Sequence, residues 1–295
     1  MMFTGLNIIS FGERFSTDEI CYEYLADIKW KNGYGCANCG NEKYFAGKQP
    51  KGRCCTKCHY DESPTAHTLF HNVKFSLKKA FYIIFLVVTT KKGISTFELS
   101  RKLELRQKTC WLFKRKTMEA MASGNDRFLN GQVEVDEFFI GGPQENKKGR
   151  SEGKKRQVVL AIQVDNFGIH RSCAQVIPSA ESIELEAFFN KCIDPEASIR
   201  TDGWSGYLPL KKSYWGLTLE KSLEKGKSFP LMHRQIMMFK AWLRGIHHQC
   251  KHLQAYLNEY NYRFNRLKYM DTIFHNLVDR MMKHPPTIYQ KLKVT

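Results

Sequence analysis

The sequence is short of acidic residues. Asp and Glu total 29 against 46 Lys and Arg, a formal net charge of +17 over 295 residues. An excess of that size excludes an acidic, self-solvating chain and favours a polyanionic partner, with DNA or RNA the usual one. Long apolar runs are missing too. The most apolar stretch, AFYIIFLVV (80–88), is too short to span a bilayer and is flanked by lysines, so it is expected as a buried helix, with no membrane partner. The opening MMFTGLNIIS has neither a basic start nor a long apolar core, so no secretory leader is expected. No internal repeat is found. What the chain does have is a 42% hydrophobic fraction, enough for a packed core, and length enough for two or three small domains.

Its ten cysteines are unevenly placed. GYGCANCG gives Cys36 and Cys39, and RCCTKCHY gives Cys55 and Cys58; fifteen residues separate the two C-x-x-C pairs. Two such knuckles complete a tetrahedral S4 set for one Zn²⁺. A redox dithiol usually comes once, beside a βαβ pattern, and reduced structural thiols are the plainer alternative. The Gly-rich, weakly periodic segment 31–63 favours a zinc ribbon, its metal structural and fully ligated. Cys54 could swap into the site, but Cys55 has the better spacing.

Before the ribbon, STDEICYEYLADIKW reads as a helix capped by Ser16 or Thr17. After it, GISTFELSRKLELRQKTCWLFKRKTMEAM (93–121) reads as two helices about an LELRQ turn. The first is capped by Ser95 or Thr96, and the second runs from about Lys108 to Ala122. That is a helix-turn-helix arrangement, with Lys108, Lys114 and Arg115 offered to DNA. An ordinary helical hairpin with solvated lysines is the alternative. Further on, NKKGRSEGKKR (146–156) reads as a loop between two strands. Its Lys147, Lys148, Arg150, Lys154, Lys155 and Arg156 are expected to clamp phosphates.

In QVEVDEFFIGG, Val133 and Val135 take one face of a strand and Glu134 and Asp136 the other. A hairpin with DNFG at its turn follows, then a helix, SIELEAFFNKCI, and a strand, ASIRTDGW, that delivers Asp202 at its end. Three antiparallel strands, a helix and a further strand is the order of the RNase H-like fold, in which the first and fourth strands lie side by side. Two carboxylates there can hold Mg²⁺ or Mn²⁺ ions about 3.5–4 Å apart for in-line attack on a phosphodiester. A basic, aromatic helix is expected from Phe229 to His248, with His233, Arg234, Lys240 and Arg244 toward DNA phosphate. Arg263 and Arg266 in YNYRFNR are expected toward solvent or DNA.

At this point the chain resembles the IS1595-type, ISXO2-like transposases, relatives of the Merlin transposases. The resemblance runs from about residue 15 to 280. It rests on the two C-x-x-C pairs together with SPTAHTLFH, KKGISTFELSRKL, VEVDEFFIGG, IRTDGWSGY, HRQIMMFKAWLRGIHH and LQAYLNEYNYRFNR. It implies cut-and-insert chemistry on double-stranded DNA at inverted terminal repeats. Asp136 and Asp202 match the first two catalytic carboxylates and Lys240 the lysine that follows the third catalytic position. Paired DNA ends imply at least two protomers, and a mobile element of this type implies a bacterial cytoplasm, at the nucleoid. The third position, Asn, Glu or His in the family, holds Met238. A thioether is a poor ligand for Mg²⁺, so impaired activity is expected unless Glu137 or Glu259 substitutes. A DNA-binding protein without catalysis, and a zinc-ribbon transcription factor, are the competing readings.

The expected class is therefore α+β: an N-terminal helix and zinc ribbon (1–75), a helix-turn-helix region (76–128), an RNase H-like mixed sheet flanked by helices (129–280) and a tail (281–295).

Overall fold

The structure, a computed structural model, describes residues 2–122, 128–141, 155–220, 228–246 and 251–294. The chain divides into two compact units, Met1–Met121 with Lys268–Thr295, and Ala122–Leu267.

The first unit opens with α1 (Ile8–Arg14) and α2 (Asp18–Lys29). Thr17 caps α2 through its side chain, and Asp18 and Glu19 lie in the first turn, where they complement the helix dipole. A three-stranded sheet follows in the order β1 (Tyr44–Ala46), β2 (Arg53–Cys55), β3 (Asp61–Glu62). Next come α3 (Leu77–Thr89), α4 (Thr96–Leu103) and α5 (Gln107–Met121). The apolar run 80–88 is indeed a buried helix, α3. Ser95 caps α4, and Glu104 ends it in the left-handed conformation, φ 50°, which turns the chain into α5.

The same unit takes back the end of the chain, α9 (Ile273–Lys283) and α10 (Tyr289–Val294). Phe274 of α9 is buried against Phe11, Phe15 and Phe81 at ring-centroid distances of 5.0, 5.5 and 5.6 Å. The boundary expected at 280 therefore falls at 267 instead. The physical reason is that the apolar face of α9 packs on α3 and α5.

The second unit is built on one five-stranded sheet. Its strands are β4 (Gln132–Ile140), β5 (Arg156–Asp165), β6 (Gly168–Ile177), β7 (Ser198–Asp202) and β8 (Leu217–Glu220), in the order β6-β5-β4-β7-β8. β4, β5 and β6 pair antiparallel, while β4, β7 and β8 pair parallel. Helix α6 (Ser182–Cys192) makes the crossover from β6 to β7 and covers one face with Leu185, Phe188 and Phe189. Helices α7 (Pro230–Ile246) and α8 (Leu253–Phe264) cover the other face. Three antiparallel strands, a crossover helix and a fourth strand parallel to the first make this an RNase H-like sheet in a mixed α+β protein. Cys173 of β6 and Cys192 at the end of α6 are joined as a disulfide, a pairing the sequence reading did not foresee.

Candidate active site and zinc centre

The ribbon brings Cys36, Cys39, Cys55 and Cys58 together, all four sulfurs within 4.8 Å of one another. Cys36 and Cys58 stand 3.5 Å apart, Cys39 and Cys55 3.6 Å. A tetrahedral ion with Zn–S bonds of about 2.3 Å requires sulfur separations of roughly 3.8 Å, so the set fits Zn²⁺ with no position left open. The Cys55 sulfur accepts the backbone N–H groups of Lys57 and Cys58 and the Asn41 amide, at 3.3, 3.5 and 3.4 Å. Such donors favour a thiolate. Cys54 lies outside the set, its thiol on the His59 carbonyl.

Helices α4 and α5 pack as the expected pair. Lys108 is exposed beside the Tyr289 ring. Lys114 and Arg115 are not on the surface, a correction to the sequence reading. Each is only 3% exposed, and the Lys114 ammonium donates to the Ile94 carbonyl at 2.9 Å. They lie on the seam of Cys110, Phe113, Thr117, Met118 and Met121 that buries α5.

On the sheet, Glu134 of β4 sits in register with Arg200 of β7, and Val135 with Thr201. Asp136 and Asp202 each lie two residues beyond that first pair, so the parallel pairing carries them to neighbouring places. Backbone N–H groups hold both: Glu137 donates to Asp136 at 2.8 Å, and Trp204 to Asp202 at 3.1 Å. Carboxylate oxygens of Asp136, Glu137 and Asp202 all lie within 4.8 Å of one another. Glu137 falls on the other face of β4, that of Val133 and Val135, where its carboxylate lies against buried Tyr207.

Three carboxylates so close repel unless a proton or cation lies between them. Hard oxygen donors of this kind suit Mg²⁺ or Mn²⁺. Beneath them, Tyr207 is fully buried. Burial, then the charges of Glu137, Asp136 and Asp202, hold its phenol well above the usual range.

A feature missed from sequence lies one step below. The Arg200 guanidinium takes both Glu220 oxygens at 2.8 Å and one Glu134 oxygen at 3.3 Å, which ties β4, β7 and β8 together. Burial raises the Glu134 carboxyl, and Arg200 opposes it. The signal was available, since Glu134 and Arg200 each precede a site aspartate by two.

Helix α7 lays Met232, Ile236, Phe239 and Leu243 on Phe138, Val158 and Leu160. Lys240 is half-buried, its ammonium 5.2 Å from the centre of the Phe138 ring. His233 is half-buried, while Arg234 and Arg244 are exposed. Met238 is 47% exposed.

Three other expectations need correction. Glu259 is fully buried in α8 with Arg263 at 3.8 Å and is not part of the acidic cluster. Arg263 points inward for the same reason, and Arg266 stacks on Tyr262 at 3.9 Å. Arg156 opens β5 rather than lying in a loop, and donates to the Lys251 carbonyl at 2.8 Å. Lys155 is half-buried. The expected phosphate contacts of Lys147, Lys148, Arg150 and Lys154 lie outside the described residues.

Comparison with known proteins bears on both centres. An ISXO2-like transposase domain matches residues 128–265, and a transposase zinc-ribbon domain matches residues 16–61. The chain carries an ISXO2-like transposase domain. An uncharacterized protein in transposable element ISH50 of Halobacterium salinarum is 23% identical over 211 residues, 66% of this chain and 71% of that protein.

Among solved structures, the Mos1 mariner paired end complex with Mn aligns over 68% of this chain and 75% of its own, with 12% identity and a TM-score of 0.30. The Mos1 Strand Transfer Complex aligns over 69% and 76%, with 12% identity and a TM-score of 0.29. Likeness at that level places no residue. The ISXO2-like domain match spans the acidic cluster and α7, and the ribbon match spans all four clustered cysteines. Among the described residues, no helix is long and apolar enough to cross a membrane.

Proposed function

We propose that the chain is the transposase of an insertion sequence, cleaving double-stranded DNA at inverted terminal repeats and joining the freed ends to target DNA. The observation that carries this reading is the convergence of Asp136 and Asp202 at the parallel β4–β7 junction of an RNase H-like sheet. Asp136 and Asp202 are the residues that would hold Mg²⁺ or Mn²⁺. When bound, such ions polarise the scissile phosphate and activate the attacking oxygen.

The chain's own groups do the rest. Backbone N–H groups fix the carboxylate of each aspartate before DNA arrives. Lys240 and Arg244 meet the phosphate beside the scissile bond, and Arg234 and His233 extend that contact along α7. Water is the first nucleophile, and a 3′-hydroxyl is the second. The ribbon, folded around Zn²⁺, and the helix pair α4–α5 recognise the DNA ends, with Lys108 on the contacting face. Two protomers bring paired ends together in a bacterial cytoplasm, at the nucleoid.

A second reading, a DNA-binding protein that has lost its chemistry, is favoured by Met238 alone. Cleavage of DNA carrying the element's own ends, with Mg²⁺ or Mn²⁺, decides between them. Under the first reading the wild-type chain cuts, and Asp136→Ala lowers the rate by a thousandfold or more, a barrier increase of about 4 kcal/mol, while end binding persists. Binding without cleavage by the wild-type chain establishes the second reading. Cleavage unaltered by Asp136→Ala overturns the assignment of that residue.

A further inference from the structure

We infer that Arg200 is a positioning residue of the proposed cation site: its guanidinium holds Glu134 and Glu220 off, so that of the four carboxylates on this face of the sheet only Asp136 and Asp202 are left to the ion. The inference rests on the reading of Asp136 and Asp202 given above.

The sheet itself does not make that selection. Alternate residues of a strand share a face. Glu134, Asp136 and Phe138 of β4 therefore stand together, and Phe138 lies in the core beneath α7. On β7 the same face carries Arg200 and Asp202. On β8 it carries Glu220, which is in register with Asp202 as Glu134 is with Arg200. Neighbouring strands lie about 4.8 Å apart. Glu220 thus starts one strand spacing from Asp202, and Glu134 stands next to Asp136 along its own strand. Four carboxylates share the face with one arginine.

The arginine decides between them. From β7 it reaches to both sides. Its Nε and Nη2 each donate to one Glu220 oxygen at 2.8 Å, and its Nη1 donates to Glu134 Oε1 at 3.3 Å. The planar fork occupies both Glu220 oxygens, a hold that the single ammonium of a lysine does not reproduce. Phe229, buried just before α7, backs the guanidinium at 5.2 Å. The result is seen in the acidic cluster, which takes in Asp136 and Asp202 but neither Glu134 nor Glu220. Mg²⁺ is commonly held by one or two carboxylates, with positions kept for substrate phosphate. A further carboxylate from this face would fill a position that the scissile phosphate is to take.

The test is Mn²⁺ affinity of the full-length, zinc-loaded protein by isothermal titration calorimetry, which needs no DNA and no turnover. Circular dichroism shows that each variant is folded. A charged oxygen ligand added to the site is expected to tighten Mn²⁺ roughly tenfold. Arg200→Gln, which frees Glu220, is expected to show that gain, and Arg200→Gln with Glu220→Gln to return to within about threefold of wild type. Arg200→Gln with Glu220→Asp, which keeps the charge but draws it back by one methylene, is expected to lose most of the gain. Arg200→Lys, alone and with Glu220→Gln, carries the same comparison should Arg200→Gln not fold. An arginine that only braces the strands gives the opposite sign: weaker Mn²⁺ in Arg200→Gln, not restored by Glu220→Gln. That result, an affinity unmoved by Arg200→Gln, or a gain kept in full with Glu220→Asp overturns the inference and leaves the site standing. No Mn²⁺ binding by the wild-type protein, or wild-type affinity in Asp202→Asn, overturns the cation site and the role of Arg200 together.

Discussion

Lys240 stands half-buried with its ammonium over Phe138, and burial, followed by the charge of Arg244, lowers its pKa from the ordinary value of 10.5. A base with a depressed folded pKa binds its proton less well in the native state. It therefore destabilises the fold at neutral pH, and that deficit is relieved as pH rises from the folded pKa toward 10.5. Lys240→Met is expected to raise Tm at pH 7, with the gap to wild type closing as pH approaches 10. The same change removes the proposed phosphate contact and is expected to weaken end binding about tenfold. Thermal melts across pH and a binding titration check both halves; equal melts at pH 7 would contradict the first. Residue roles of this kind were partly legible. Asp136, Asp202 and Lys240 stood out from their motifs. The burial of Lys114 and Arg115 did not, because basic residues on a helix suggest a wet face. Only the spacing of Cys110, Phe113, Thr117 and Met121 around them marks the seam.

Among elements, the ribbon has the least of its own to stand on. Its strands are two or three residues long. Trp30, Tyr34, Cys36 and Cys55 form its small core, with Arg53 held between the Trp30 and Tyr44 rings at 4.3 and 4.1 Å. Ligation supplies the stability that so small a core lacks. A strong chelator is expected to release one Zn²⁺ per chain, expose four thiols to titration and remove hydrogen-exchange protection from residues 33–62. Protection in β4–β8 should persist; its loss alongside the ribbon's would contradict that independence. This element was the most legible, since paired C-x-x-C knuckles encode their geometry locally. The sheet was readable in its strand order. The Arg200 tie to Glu134 and Glu220 was missed, because it joins strands far apart in sequence and only the matching two-residue spacing before Asp136 and Asp202 marked part of it.

Over the whole molecule, the division into units was the hardest feature to foresee. An amphipathic helix such as α9 announces that it has an apolar face, not which core receives it. Phe274 enters the aromatic cluster of Phe11, Phe15 and Phe81 from the far end of the chain. Phe274→Ala is expected to cost about 3–5 kcal/mol, seen as a lower-melting transition of the first unit in calorimetry, with the second unit's transition unmoved. A single shifted transition would show that the units melt together.

The place of α9 has a consequence for synthesis. A nascent chain displays its cysteines, its helix pair and the whole of residues 122–267 before the ribosome delivers the helix that closes the first core. The unit proposed to recognise DNA ends is completed last, after the unit proposed to cut them. A polypeptide stopped short of residue 273 by a nonsense codon or frameshift would carry an entire RNase H-like sheet but an unfinished first unit, and under the proposed function it is expected not to occupy the element's ends in place of the full protein.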